Sequence, residues 1–97
     1  MEELLKSMKG IKVRNLTSNS SGREVANQFI IDTPNGTIFQ SYNSIICLIS
    51  KGQVYLDSAK WDYSMTTGKY RNQFLGENIQ DTRRKIERGI YKLVNLN

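Results

Sequence analysis

Apolar and polar positions alternate with a period of two over Ile11-Lys12-Val13-Arg14-Asn15-Leu16, the pattern of a half-buried strand. A second strand is expected over Val25 to Thr33, after a small, polar stretch from Thr17 to Gly22 that fits an exposed loop. Pro34-Asn35-Gly36 follows, where Asn-Gly offers the positive φ angles of a tight hairpin, and the chain returns through Thr37-Ile38-Phe39-Gln40-Ser41-Tyr42. Ser44 to Ile49 and Gln53 to Leu56 make a further pair, turned by Lys51-Gly52. Ahead of these strands, Met1 to Lys9 places Leu4, Leu5 and Met8 on one side of a short helix that Gly10 ends.

The period changes at Trp61. Ser64 or Thr66 can cap a helix in which Tyr70 and Phe74 lie four apart with Leu75 beside them, and Gly76 is placed to stop it. A second helix is expected from near Asn78, with Ile79, Thr82 and Ile86 as its buried side and Gly89 as its end. Ile90 to Leu96 reads as a terminal strand. The expected fold is a single α+β domain over residues 1–97: an antiparallel sheet of about five strands built from hairpins, then two short helices and a terminal strand. No internal repeat or low-complexity segment interrupts it.

Composition narrows the classes. The 97 residues are 38% hydrophobic and 24% charged with a single proline, a globular rather than disordered balance. The longest apolar run, Ile45 to Ile49, is far short of a membrane span. Met1-Glu2-Glu3 opens with acid, unlike a secretory leader, and Cys47 has no second cysteine to pair with, so the reading expects a cytoplasmic protein with no membrane partner. Cys47 lies inside the apolar run, where an inert buried thiol is the simplest reading.

The chemistry that is missing weighs against catalysis. There is no histidine, no cysteine set for zinc and no phosphate-binding glycine loop, and the acids Asp32, Asp57, Asp62, Glu77 and Asp81 show no catalytic spacing. We therefore expect no catalytic residues, no metal site and no cofactor. A carboxylate enzyme would require that folding bring two or more acids into one pocket.

The net charge is +5, and seven cations against three acids between Lys69 and Lys92 supply +4 of it. Arg84, Lys85 and Arg88 are expected to share the helix face opposite the apolar stripe, where guanidinium groups can meet phosphates. The plainer reading is a solvated face with an Asp81–Lys85 pair at i,i+4. Trp61-Asp62-Tyr63-Ser64 gathers aromatic surface at the junction of sheet and helix. A tryptophan there ordinarily packs the helix onto the sheet, whereas Trp61 or Tyr63, if exposed, is an aromatic anchor. The candidate partner-binding residues are thus Lys69, Arg71, Arg84, Lys85, Arg88, Trp61 and Tyr63. A helix-turn-helix is a poor fit, because the second helix is short and its cations do not form a base-reading set.

The stretch Phe39-Gln40-Ser41-Tyr42-Asn43-Ser44-Ile45-Ile46, then Val54-Tyr55-Leu56-Asp57 and Trp61 through Glu77, resembles a group of small proteins from phages, prophages and plasmids. These share an F-Q-S-Y strand and a W-D-Y-S-x-T-T-x-K-Y helix start, and the resemblance covers about the last two thirds of the chain. It implies a non-catalytic accessory protein that binds and inhibits a host antiviral defence complex, a protein or ribonucleoprotein, as inhibitors of CRISPR nucleases do. The basic charge points away from mimicry of nucleic acid by an acidic surface. The rival reading is a small basic nucleic-acid-binding module in replication or regulation. A homodimer through an open sheet edge is a further expectation.

Overall fold

The computed structural model describes residues 9–97; the expected helix over Met1 to Lys9 lies almost wholly outside them. Six strands form one sheet in chain order: β1 Lys12–Thr17, β2 Glu24–Thr33, β3 Gly36–Ser41, β4 Ser44–Ser50, β5 Gln53–Asp57 and β6 Lys92–Val94. The first five run antiparallel as a meander. Two helices, α1 Met65–Leu75 and α2 Ile79–Glu87, connect β5 to β6, so the terminal strand joins the sheet parallel to β5. It is shorter than the pattern from Ile90 to Leu96 suggested. The fold is α+β with a six-stranded, mostly antiparallel sheet, as the alternation of residues leads one to expect.

Cross-strand partners share a face of a sheet, and the register therefore sorts the side chains. Ile30 faces Phe39, Phe39 faces Cys47, and Cys47 faces Leu56. With Leu16, Ile46 and Tyr91 these form the buried core, and Trp61, Tyr70, Phe74, Leu75 and Ile86 from the helical connection pack onto it. Burial of each large side chain contributes about 1.5–3 kcal/mol. A bulge explains why two consecutive residues, Ile46 and Cys47, are both inaccessible: Gln40 pairs with Ile45 while Phe39 pairs with Cys47, and the extra residue turns inward. The opposite face carries a second apolar row, Val13, Ile31, Ile38, Leu48 and Tyr55, directed away from both helices.

The hairpins differ in their physics. Between β4 and β5, Lys51 and Gly52 have φ of 50° and 77°, the left-handed pair that a two-residue turn matches to strand twist. In the β2–β3 turn Asn35 does not take the positive φ expected of it, and Gly36, at 158°, is close to extended backbone rather than in a left-handed turn. The two loop residues are Pro34 and Asn35, Gly36 already pairs with Thr33, and the Thr33 hydroxyl accepts hydrogen bonds from the Asn35 and Gly36 N–H groups. Gly36 is required for another reason. A Cβ there would run into the carbonyl oxygen of Ile49 on the neighbouring strand.

Candidate partner-binding site

The segment between β5 and α1 is built on Asp57. Its carboxylate accepts from the N–H groups of Ala59 and Lys60 at 3.2 and 2.9 Å and of Leu96 at 2.8 Å, tying the start of the loop to the chain's last residues. Burial opposes the charge, but these hydrogen bonds, together with one from Asn97, outweigh it and hold the carboxyl below its ordinary range. The turn delivers Trp61, then Ser64, whose hydroxyl accepts from the Thr67 N–H and caps α1. Gly76 closes α1 in the left-handed conformation, and the Asn78 side chain caps α2 by accepting from the Asp81 N–H.

Arg71 is not a surface contact. It is 1% exposed, lies 5.1 Å from the Trp61 ring, and donates to the Trp61 carbonyl at 2.7 Å, Asp62 at 3.1 Å and Asn72 at 2.9 Å. Its position follows from helical geometry: residues 67, 68 and 71 share the face of α1 turned to the sheet. Trp61 is correspondingly half-buried, packed between this guanidinium and the core. Neither residue is a surface contact, and of the Arg71 nitrogens only Nε is left without an acceptor among the described residues.

Lys85 is drawn to a carboxylate, although its side chain stays 39% exposed. Arg84 and Arg88 are one helical turn apart and share the exposed face, but position 85 is rotated about 100° from 84. Lys85 reaches Glu77 at 2.7 Å, and the expected Asp81–Lys85 pair is replaced by Asp81–Arg84 at 3.1 Å. Glu77 is a hub that also accepts from the Thr82 and Tyr91 hydroxyls, both at 2.6 Å. Burial opposes its charge, but the donors Lys85, Thr82 and Tyr91 outweigh it and hold the carboxyl below its ordinary value.

Of the candidates, Lys69, Arg84, Arg88 and Tyr63 remain accessible. Tyr63 is 44% exposed with the Lys60 ammonium 4.9 Å from its ring. Arg83 adds to the same layer and pairs with Asp62 at 3.3 Å, while Arg88 and Lys69 have no carboxylate partner among the described residues. The sequence reading overlooked Met65, which is 93% exposed. Its place directly after the cap Ser64 was a usable signal, because the first helical residue here lies outside the buried 67–68–71 face. Burial pushes the Cys47 thiol up to about 12, which leaves it unreactive. Among the described residues no cluster of acids, histidines or cysteines could hold a metal ion, and no helix is long and apolar enough to cross a membrane.

The arrangement defines a small α+β protein whose helical connection exposes a set of cations together with Tyr63 and Met65. A family model matches residues 11–90, and the chain belongs to that family, DUF8033, a family of unknown function. The match runs from the threshold of β1 through α2, so the whole meander and both helices lie in the family's unit. Neither the curated proteins nor the solved structures yield a match.

Proposed function

We propose that this is a non-catalytic binding protein that docks onto a macromolecular partner through the outer side of its helical layer. Lys69, Arg83, Arg84 and Arg88 supply the electrostatic contacts and Tyr63 the aromatic anchor. In the setting that the sequence resemblance implies, the partner is a host antiviral defence complex, which the protein inhibits by occupying an acidic or phosphate-bearing surface. The observation that carries the reading is the accessibility of Arg84 and Arg88 on one face of α2, with Arg88 lacking a carboxylate partner. The Arg83 and Arg84 pairs are exposed and exchange readily for partner oxygens, since surface pairs of this kind contribute about 1 kcal/mol or less.

Four of the acids support a non-catalytic role, because each of these holds structural contacts. Asp57 ties loop to terminus, Asp62 bridges Arg71 and Arg83, Glu77 holds three donors, and Asp32 serves Arg14 and Thr37.

The test is phage plating on a host armed with a nuclease-based defence, with and without expression of the chain. Restored plating by the wild type, and its loss with a folded Arg84→Glu/Arg88→Glu variant, is the expected result. No restoration against any nuclease defence removes the inhibitor reading. Anisotropy of labelled DNA and RNA at physiological salt adds a second readout. Tight binding there, with a salt slope of several phosphates, moves the assignment to a nucleic-acid module.

A further inference from the structure

A groove of about 470 Å³ opens where α1 begins. Tyr63, Met65 and Ile79 give it apolar walls, Lys69 stands at its rim, and Gly68 and Arg71 lie at its bottom. Three observations point to a ligand. Arg71 is buried, yet its Nε has no acceptor among the described residues. The first turn of α1 carries no acid to meet the positive end of the helix, and while Ser64 caps the Thr67 N–H, those of Met65 and Thr66 have no partner within the helix. The third is Gly68 itself.

A glycine inside a helix costs about 1 kcal/mol relative to alanine, and usually crowding explains it. Here crowding does not. A Cβ on Gly68 would meet nothing nearer than Arg71 Nη2 at 3.7 Å and Asp62 Oδ1 at 3.8 Å, which are ordinary contacts. What a methyl group would do is fill the bottom of the groove above the guanidinium.

We infer that this groove receives a carboxylate carried by an extended protein segment: an acidic peptide with Asp or Glu beside an aliphatic residue. The inference rests on the binding reading above and names the chemistry that one part of the surface selects. Charge decides between anions. Among the residues that line the groove, the two cations Lys69 and Arg71 stand against the one acid, Asp62, a net of one positive charge. One carboxylate matches that, whereas a phosphate dianion is repelled by Asp62. The apolar walls suit an aliphatic neighbour, and the exposed, adaptable Met65 suits contact with a partner's surface. The groove is too open to enclose a small molecule, which ordinarily loses most of its surface on binding.

The experiment is amide-shift mapping on the isotope-labelled full chain, titrated with the blocked peptide Ala-Leu-Glu-Leu-Ala, its Gln twin and inorganic phosphate, each to about 10 mM. Saturable shifts over residues 64–69 with the Glu peptide are expected, with affinity about tenfold weaker for the Gln twin. Gly68→Ala is expected to melt at a higher temperature and yet bind about tenfold more weakly, so lost folding cannot explain lost binding. Equal binding of the Gln twin, tighter binding of phosphate, undiminished binding by Gly68→Ala, or no shift at the groove each overturns the inference. The binding reading stands or falls separately on Arg84→Glu/Arg88→Glu in the plating assay, which leaves the groove's residues intact.

Discussion

The two helices occupy the same face of the same sheet, and each is fastened to it by a buried charge of opposite sign. Helix α1 is anchored by a cation, Arg71, stacked on Trp61 and hydrogen-bonded to three acceptors. Helix α2 is secured by an anion, Glu77, just before its cap, which collects Thr82, Lys85 and the Tyr91 hydroxyl. Their apolar content differs as well. Helix α1 packs Tyr70, Phe74 and Leu75 onto the core and α2 only Ile86, yet the fully buried side chains of both are polar, Thr67 and Arg71 in α1 and Thr82 in α2, and Thr67 bonds to Ser41 of β3 at 2.8 Å. A helix whose buried side is polar depends on specific partners, because each buried polar group left unpaired costs about 1–3 kcal/mol.

The largest expected effect separates the two anchors. Arg71→Ala removes a buried cation from three acceptors and from the Trp61 ring, and is expected to cost about 3–5 kcal/mol in urea unfolding. That matches the loss expected for Phe39→Ala in the apolar core, where Phe39 stacks on Phe74 at 5.7 Å. A cost below 1 kcal/mol for Arg71→Ala would mean that α1 is held by Tyr70, Phe74 and Leu75 alone, and the contrast between the helices would collapse.

The second prediction runs in the stabilising direction. Gln28 is wholly buried opposite Ser41, and neither end of its amide has a partner among the described residues. Gln28→Leu keeps much of the volume and removes two unsatisfied groups, so the urea midpoint is expected to rise by the equivalent of about 1–3 kcal/mol. A fall of the midpoint would show that the amide is satisfied in solution, as by an ordered water.

These anchors mark where the sequence stopped being legible. Period-two alternation in β1 to β5 and the glycine and cap residues around both helices follow from local physics, and they placed the elements within a residue or two. Charged residues carry no such mark. Arg71 and Lys85 lie in a run of cations that reads as a solvated face, yet one is buried and the other bends to a carboxylate eight positions earlier. Burial of Arg71 depends on where Trp61 and Asp62 arrive in space, a tertiary fact with no periodicity. Of the candidate site, Lys69, Arg84, Arg88 and Tyr63 are accessible, while Trp61, Arg71 and Lys85 belong to the framework.

The anion anchor predicts a pH dependence of stability. The folded Glu77 carboxyl is held below its ordinary value of 4.5, so the unfolded chain takes up the proton first. Its contribution is complete above about pH 4.5 and is lost as pH falls through the folded value. Asp57, held low from an ordinary 3.8, adds in the same direction at slightly lower pH. Urea midpoints from pH 7 to pH 3 are therefore expected to fall on the acid side, and Glu77→Gln to flatten that limb while costing about 1–3 kcal/mol at neutral pH. An acid limb unchanged by Glu77→Gln would transfer the effect to Asp57 and Asp32, the other carboxyls held low.

The smallest effects lie at the caps, and they sharpen the comparison. Ser64 caps α1 and Asn78 caps α2 by equivalent bonds, 3.1 and 2.9 Å, and either change to alanine is expected to cost about 1 kcal/mol in isolation. Context should divide them. Asn78 follows Glu77 directly, so freeing the start of α2 also loosens the hub, and Asn78→Ala should be non-additive with Glu77→Gln. Ser64 is seven residues from Arg71, and Ser64→Ala should add to an Arg71 substitution within about 0.5 kcal/mol. A double-mutant cycle at each helix measures this. Strong coupling at α2 and none at α1 is the result expected if the anion anchor and its cap are one unit while the cation anchor acts alone.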